Sequence, residues 1–174
     1  VNAIGLSGID GGLLRGERKQ AIKAIINDKK ILIRDDLSGK TNFCNTKLLN
    51  LLLENDYTVV ISIPILSYEN EAINTDNDTM TAVIAKEMKI DTVIYFSDVP
   101  GLLENFEDKN SLIKEVRLEN IEFALNAAQG RMKKKILGAK DCLENGIKKV
   151  IFADGRKEHP IKSALNGEGT VFIL

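Results

Sequence analysis

From residue 78 to the end of the chain, helix-period and strand-type apolar patterns take turns, and this alternation restricts the fold more than any other feature. Residues 78–88 place apolar side chains at 80, 83, 84 and 88, the spacing of one helix face. Residues 92–96 form an apolar run without polar alternation, the pattern of a strand covered on both faces. Helices are predicted at 121–128 and 132–143, with Gly146 where a helix C-terminal glycine belongs, and strands at 149–153 and 170–174. Strands alternating with helices predict an α/β fold, an αβα sandwich on a mainly parallel sheet.

The upstream part reads less regularly. Residues 1–6 make a strand with no lead-in, which predicts a piece of a longer, N-terminally truncated domain. Residues 21–26 and 31–34 flank the polar run Asn27, Asp28, Lys29 and Lys30, hence a hairpin. A leucine-rich helix is expected at 46–54, then a Val/Ile-rich strand at 57–63 stopped by Pro64. A chain of 174 residues suits one domain with a real core, and no repeat or linker divides it.

Charge removes several function classes. With 24 basic and 25 acidic side chains the formal net charge is −1, which argues against a nucleic-acid partner at the level of the whole chain. No apolar run approaches the ~20 residues of a membrane helix. A cytoplasmic protein without membrane attachment is expected. Cys44 and Cys142 have no metal-ligand spacing, and a single His159 leaves no material for a histidine-rich metal site or a Ser-His-Asp triad. No side-chain metal site is expected. The chemistry falls to carboxylates, lysines, amides and glycines.

The balanced total hides blocks. Residues 15–40 hold eight basic and four acidic side chains, and residues 131–149 hold seven and two. Such cationic segments suit a phosphate or an acidic partner. In open α/β sheets ligands bind outside the carboxyl ends of strands. Two loops qualify: Ile73 to Asp78, carrying Asn74, Asp76 and Asp78, and Ser97, Asp98, Val99, Pro100 and Gly101 directly after the strand at 92–96. Neither has a Walker or dinucleotide glycine pattern. Any one of Asn74, Asp76 and Asp78 can cap the next helix, but three such groups within five residues exceed what one cap needs. On the helix at 132–143, Met132, Ile136, Ala139 and Leu143 define the buried stripe. Lys134 then points away, while Lys133 and Lys135 flank the stripe, and period alone does not choose between them.

Five segments together resemble a known family. They are 67–76 (SYENEAINTD), 97–103 (SDVPGLL), 128–135 (AQGRMKKK), 153–156 (ADGR) and 164–171 (ALNGEGTV). In this order, over nearly the whole chain, they are similar to the amino acid kinase superfamily, with its carbamate kinase-like fold. Within it they resemble the acetylglutamate kinase branch, most closely the LysW-aminoadipate or LysW-glutamate kinases of lysine and arginine biosynthesis. The resemblance implies transfer of the ATP γ-phosphoryl to the side-chain carboxylate of aminoadipate or glutamate held on a small acidic carrier protein.

By position the resemblance makes Lys135 the transition-state lysine, Asp78 the aspartate that orients the active-site lysines, and Asn74 a substrate-binding residue. Ser97, Asp98, Val99, Pro100, Gly101, Leu102 and Leu103, with Gln129 and Gly130, become the ATP-binding stretch. Magnesium would come with ATP, held mostly by phosphates and water. Arg15, Arg18, Lys19, Lys23, Lys29 and Lys30 become a basic surface, centred on the hairpin, for the acidic carrier. At least a homodimer is implied. The chain departs from the family in two ways. It has no Lys-x-Gly-Gly loop with the other catalytic lysine, and no second glycine-rich loop or substrate arginine. The 174 residues by themselves are therefore expected to hold nucleotide, chiefly as the nucleotide-binding half of one kinase domain, without efficient turnover. Arg131 stands where acetylglutamate kinases usually have glycine, which favours the carrier-dependent branch. The alternatives are a kinase for free N-acetylglutamate and an inactive nucleotide-binding remnant.

Overall fold

A computed structural model of the chain describes every residue except Asn27, Phe106, Lys109 and Gln129, and describes Ile26 and Arg131 by backbone alone. The chain forms two compact units, Val1–Glu87 and Met88–Leu174.

The first unit holds β1 (Ala3–Ser7), β2 (Leu14–Arg18), β3 (Ile22–Ile26), β4 (Lys29–Ile33), β5 (Gly39–Cys44), α1 (Thr46–Glu54), β6 (Thr58–Ser62), β7 (Ile65–Ser67), β8 (Ala72–Ile73) and α2 (Asn77–Glu87). β1 pairs in parallel with β6, and a second sheet has the order β5-β2-β7-β8. β3 and β4 form a separate antiparallel hairpin in which Ile26 faces Lys29. Asp28 lies before β4 at φ 59°, and Lys29 and Lys30 belong to β4 rather than to a four-residue turn.

Four strands here, β2, β5, β7 and β8, escaped the apolar pattern. β2 and β5 turn Leu14, Gly16, Gly39 and Thr41 inward, so small or polar residues occupy sites where hydrophobicity would announce a strand. Their smallness is required. A Cβ on Gly39 would run into Ile73 and the Glu17 carbonyl. The buried Thr41 satisfies its hydroxyl against Thr75, 3.0 Å away.

The second unit holds β9 (Thr92–Ser97), β10 (Glu115–Arg117), α3 (Ile121–Ala127), α4 (Gly130–Glu144), β11 (Lys149–Asp154), α5 (Pro160–Leu165) and β12 (Thr170–Ile173). Its sheet has the order β10-β12-β11-β9. β9 runs parallel to β11 in unbroken register from Thr92↔Lys149 to Ser97↔Asp154, whereas β11 and β12 are antiparallel. Among the described strands of the whole chain, four pairings are parallel and four antiparallel, so the sheets are mixed.

Both faces of this sheet are covered. Ile151 and Ala153 pack with Ile94 against Ala164 of α5. Phe152, one residue out of phase and so on the opposite face, meets Tyr95 edge-on at 5.6 Å and Phe172 at 4.5 Å between ring centroids. Tyr95 in turn touches α4 through Lys135 and Cys142. Helices on either side of a sheet give the sandwich that the alternation predicts. α4 stops where expected. Gly146, at φ 91°, donates to the Leu143 carbonyl, and the Ile147 N–H reaches back to that of Cys142. Among the described residues no helix is long and apolar enough to cross a membrane.

Candidate functional site

The parallel pairing of β9 and β11 brings two strand ends to one place. Gly155 extends the ladder by donating to the Ser97 carbonyl at 2.9 Å, so the loops after both strands emerge side by side. A cavity of about 600 Å³ opens there, the size range of small-molecule sites. Its wall includes Phe96, Ser97, Asp98, Val99, Gly101, Leu102 and Leu103 from the loop after β9, and Ala127, Ala128, Gly130, Met132 and Lys135 around the start of α4.

The loop is held from behind. Thr170 of β12 is fully buried, and its hydroxyl does two jobs. It accepts from the Leu102 N–H at 2.8 Å and donates to the Ile113 carbonyl at 2.6 Å. Gly101, at φ 153°, passes so close that a Cβ would lie 2.6 Å from this hydroxyl oxygen. Only glycine fits such a close approach. The Ile113 N–H bonds the Leu102 carbonyl, and Leu103 bridges to Leu112, closing a short loop that presents the backbone of 101–103 to the cavity.

Of the residues expected to bind nucleotide, the cavity wall includes Ser97, Asp98, Val99, Gly101, Leu102, Leu103 and Gly130. Pro100 belongs to the same loop without lining the cavity, and Gln129 lies outside the described residues. Phe96, Ala127, Ala128 and Met132 were not expected. The first ends a strand read as core, and the others carry no polar signal, so only their place at the mouth of the sheet reveals them. The choice that period left open is resolved by exposure. Lys133 and Lys134 lie exposed, while Lys135 is half-buried and lines the cavity. Its ammonium sits 5.2 Å from the centre of the Tyr95 ring.

At the end of β11, Arg156 forks onto Asp154 with bonds of 2.9 and 2.7 Å, and its own N–H adds a third at 3.0 Å. These bonds hold the Asp154 carboxyl down at about 2. The same bonds raise the Arg156 guanidinium, and the Asp98 carboxylate on the cavity wall adds to the pull.

The first unit carries the remaining expected residues. Asp76 caps α2, accepting from the N–H groups of Asp78 and Thr79 at 3.0 and 3.2 Å. The capping demand is thereby met by Asp76, and Asp78 stands half-buried in the first turn of the helix. Asn74 commits its backbone to Leu37 and Gly39 and exposes its side chain.

The basic surface divides. Arg15 and Arg18 belong to β2, not to the hairpin. Arg18 is engaged with both oxygens of Glu71 at 2.9 and 3.0 Å, and Arg15 reaches Ser67 and Asn70 at 3.4 Å. Sequence proximity suggested one surface, but the strand break between Arg18 and Ile22 assigns them to different sheets. Lys19 follows β2 and is exposed. On the hairpin, register puts Lys23 and Lys30 on one face with Ile25 and Leu32, and Lys29 on the other. All three lysines are exposed.

The model of the Amino acid kinase family matches residues 1–154. The chain belongs to that family. A [LysW]-aminoadipate kinase of Thermus thermophilus is 49% identical over 173 residues, covering 98% of this chain and 64% of the relative. One from Deinococcus radiodurans is 42% identical, covering 98% and 59%. The chain thus spans roughly three-fifths of the length of these relatives. Among solved structures, a carbamate kinase from Giardia aligns over 99% of this chain and 62% of its own with a TM-score of 0.66 at 16% identity, which shows the fold.

Two outcomes follow for the site. Thr170→Val removes both loop bonds and leaves the buried Leu102 N–H without its partner, at a cost of about 1–3 kcal/mol. Hydrogen exchange at Leu102 should accelerate well beyond that at Val150 in mid-strand. Asp154 has a folded value near 2 against an ordinary 3.8, so its contribution is complete above the higher value and fades as pH falls through the lower. Acid unfolding profiles of the native chain and of Asp154→Asn should therefore converge below about pH 2 and separate above pH 4.

Proposed function

We propose that the protein carrying this chain transfers the γ-phosphoryl of ATP to the side-chain carboxylate of 2-aminoadipate or glutamate carried on an acidic protein, giving an acyl phosphate for lysine or arginine biosynthesis. The observation that carries this reading is Lys135 on the wall of a nucleotide-sized cavity at the carboxyl end of β9. Family membership and the names of the relatives support the reaction class and the carrier.

The attacking carboxylate is already ionised at neutral pH, so the reaction requires no general base. The protein's part is positioning and charge stabilisation. The backbone of 101–103, pinned by Thr170, and the turn at Gly130 receive the nucleotide. Lys135 meets the phosphoryl oxygens, where a preorganised cation gains most as charge spreads over them. Asp78 orients the lysines and Asn74 holds the amino acid end of the substrate. Gln129 lies beside the nucleotide in this reading. Among the described residues no group of three metal-ligating side chains occurs. Magnesium would be held by the ATP phosphates and water, with Asp98 the nearby wall carboxylate, and would shield phosphate charge.

Residues 1–174 are read as part of a single amino acid kinase domain, chiefly its nucleotide-binding half, across which the family match runs to 154. The enzyme would act in the cytoplasm as a homodimer, without nucleic acid or membrane. Lys23 and Lys30, sharing the hairpin face with Ile25 and Leu32, offer the carrier a surface both basic and apolar, with Lys19 and Lys29 adding charge nearby. Arg15 and Arg18 contribute to that field from β2.

Calorimetric titration of magnesium-ATP into the intact protein should give saturable binding that Lys135→Ala weakens roughly tenfold or more. Equal binding by both would remove Lys135 from the nucleotide site, and ATP binding without turnover would favour the inactive remnant. With carrier-linked substrate, Lys23→Ala/Lys30→Ala should raise KM roughly fivefold or more while KM for ATP stays put. Faster turnover of free N-acetylglutamate than of the carrier-linked acid would replace this reading with the free-substrate kinase.

A further inference from the structure

Tyr95 is an unexpected residue for its place. It sits in β9, the last strand in the order of its sheet but covered on both faces, where a purely aliphatic side chain would satisfy the packing, and it is 6% exposed. A buried phenol must find a partner for its hydroxyl. Tyr95 finds one in the Cys142 thiol of α4, itself buried and pushed up to about 11 by that burial. Phe152, across the parallel register, meets the ring edge-on with an interplanar angle of 86°. The ring is thus fixed at its hydroxyl and by a neighbouring aromatic. Its face is covered by the Lys135 ammonium, 5.2 Å from the ring centre, inside the range of a cation–π contact.

We propose that Tyr95 is a positioning residue that sets the Lys135 ammonium at the cavity wall through the face of its ring, a role that rests on the reading of Lys135 as a phosphate-contacting lysine. The physics favours a ring for this task. A π face attracts a cation without engaging N–H bonds in fixed directions, so the ring holds the ammonium without itself taking up one of its donors. It also adds no negative charge beside a polyanionic ligand. Because α4 supplies both Lys135 and Cys142, the phenol spans two turns of one helix, fastening the lysine's helix to the strand whose end forms the cavity.

Two measurements on the intact protein test this. The first is NMR of lysine labelled at Cε, which reads ring currents directly. The Lys135 ε-methylene protons should be shifted upfield, and the shift should persist in Tyr95→Phe and vanish in Tyr95→Leu. The second is the Kd for magnesium-ATP. It should rise roughly threefold to tenfold in Tyr95→Leu and be largely rescued in Tyr95→Phe, which keeps the ring. Absence of an upfield shift in the unsubstituted protein overturns the proposal whatever the variants do, so it stays testable if Tyr95→Leu does not fold. A folded Tyr95→Leu that binds as tightly as the unsubstituted protein, beside a weakened Lys135→Ala, overturns it while the kinase reading stands. If Lys135→Ala binds normally although the ring shift is present, the nucleotide role of Lys135 fails, and the positioning role with it.

Discussion

The pairing of β9 with β11 is the constraint on which the second unit depends. Parallel strands cannot be joined by a tight turn, so the chain must leave Ser97, travel over the sheet and return to Lys149 at the far end. The intervening stretch supplies β10, α3 and α4. The same geometry puts the two carboxyl ends together, and a Gly155 N–H on the Ser97 carbonyl holds the emerging loops side by side. A cavity at that edge is a consequence of strand direction, as in other open α/β sheets.

What fills the space around the cavity is divided between backbone and a few side chains. Gly101 and Thr170 act as a pair: the glycine permits close approach, and the threonine satisfies the amide that approach would otherwise bury unpaired. That leaves the loop backbone fixed, and a fixed backbone serves a ligand better than one that must be ordered at the moment of binding. The charges are few. Asp154 and Arg156 pair with one another after β11, and among the described residues the wall itself carries one charged side chain of each sign, Asp98 and the half-buried Lys135.

Much of this was legible in the chain. α1 was read with its observed bounds, and α2, α3 and the strands β9, β11 and β12 to within a residue or two, because long apolar faces repeat at a period the backbone imposes. The strands β2, β5, β7 and β8 were not. Their inward positions include glycine, threonine and serine, chosen by close packing and by hydrogen bonding, and neither leaves an apolar period. The site was half legible in the same sense. The loop after β9 follows from strand direction, whereas Ala127, Ala128 and Met132 have side chains that signal nothing until the helix start is placed beside that loop. The six basic residues looked like one surface because they are near in sequence, but Arg15 and Arg18 turn toward Glu71, Ser67 and Asn70, side chains and carbonyls more than fifty residues away.

Sequence by itself determined the class of fold, most of the helices and the strand end at which the cavity opens, since periodicity and strand direction are local or topological properties. Tertiary structure decided which of two flanking lysines lines the cavity, which of three polar side chains caps α2, and which ring lies under that lysine. Those choices turn on angles and distances of a few ångströms between elements far apart in the chain. Burial and hydrogen-bond satisfaction fix them only when all the packing partners are present together.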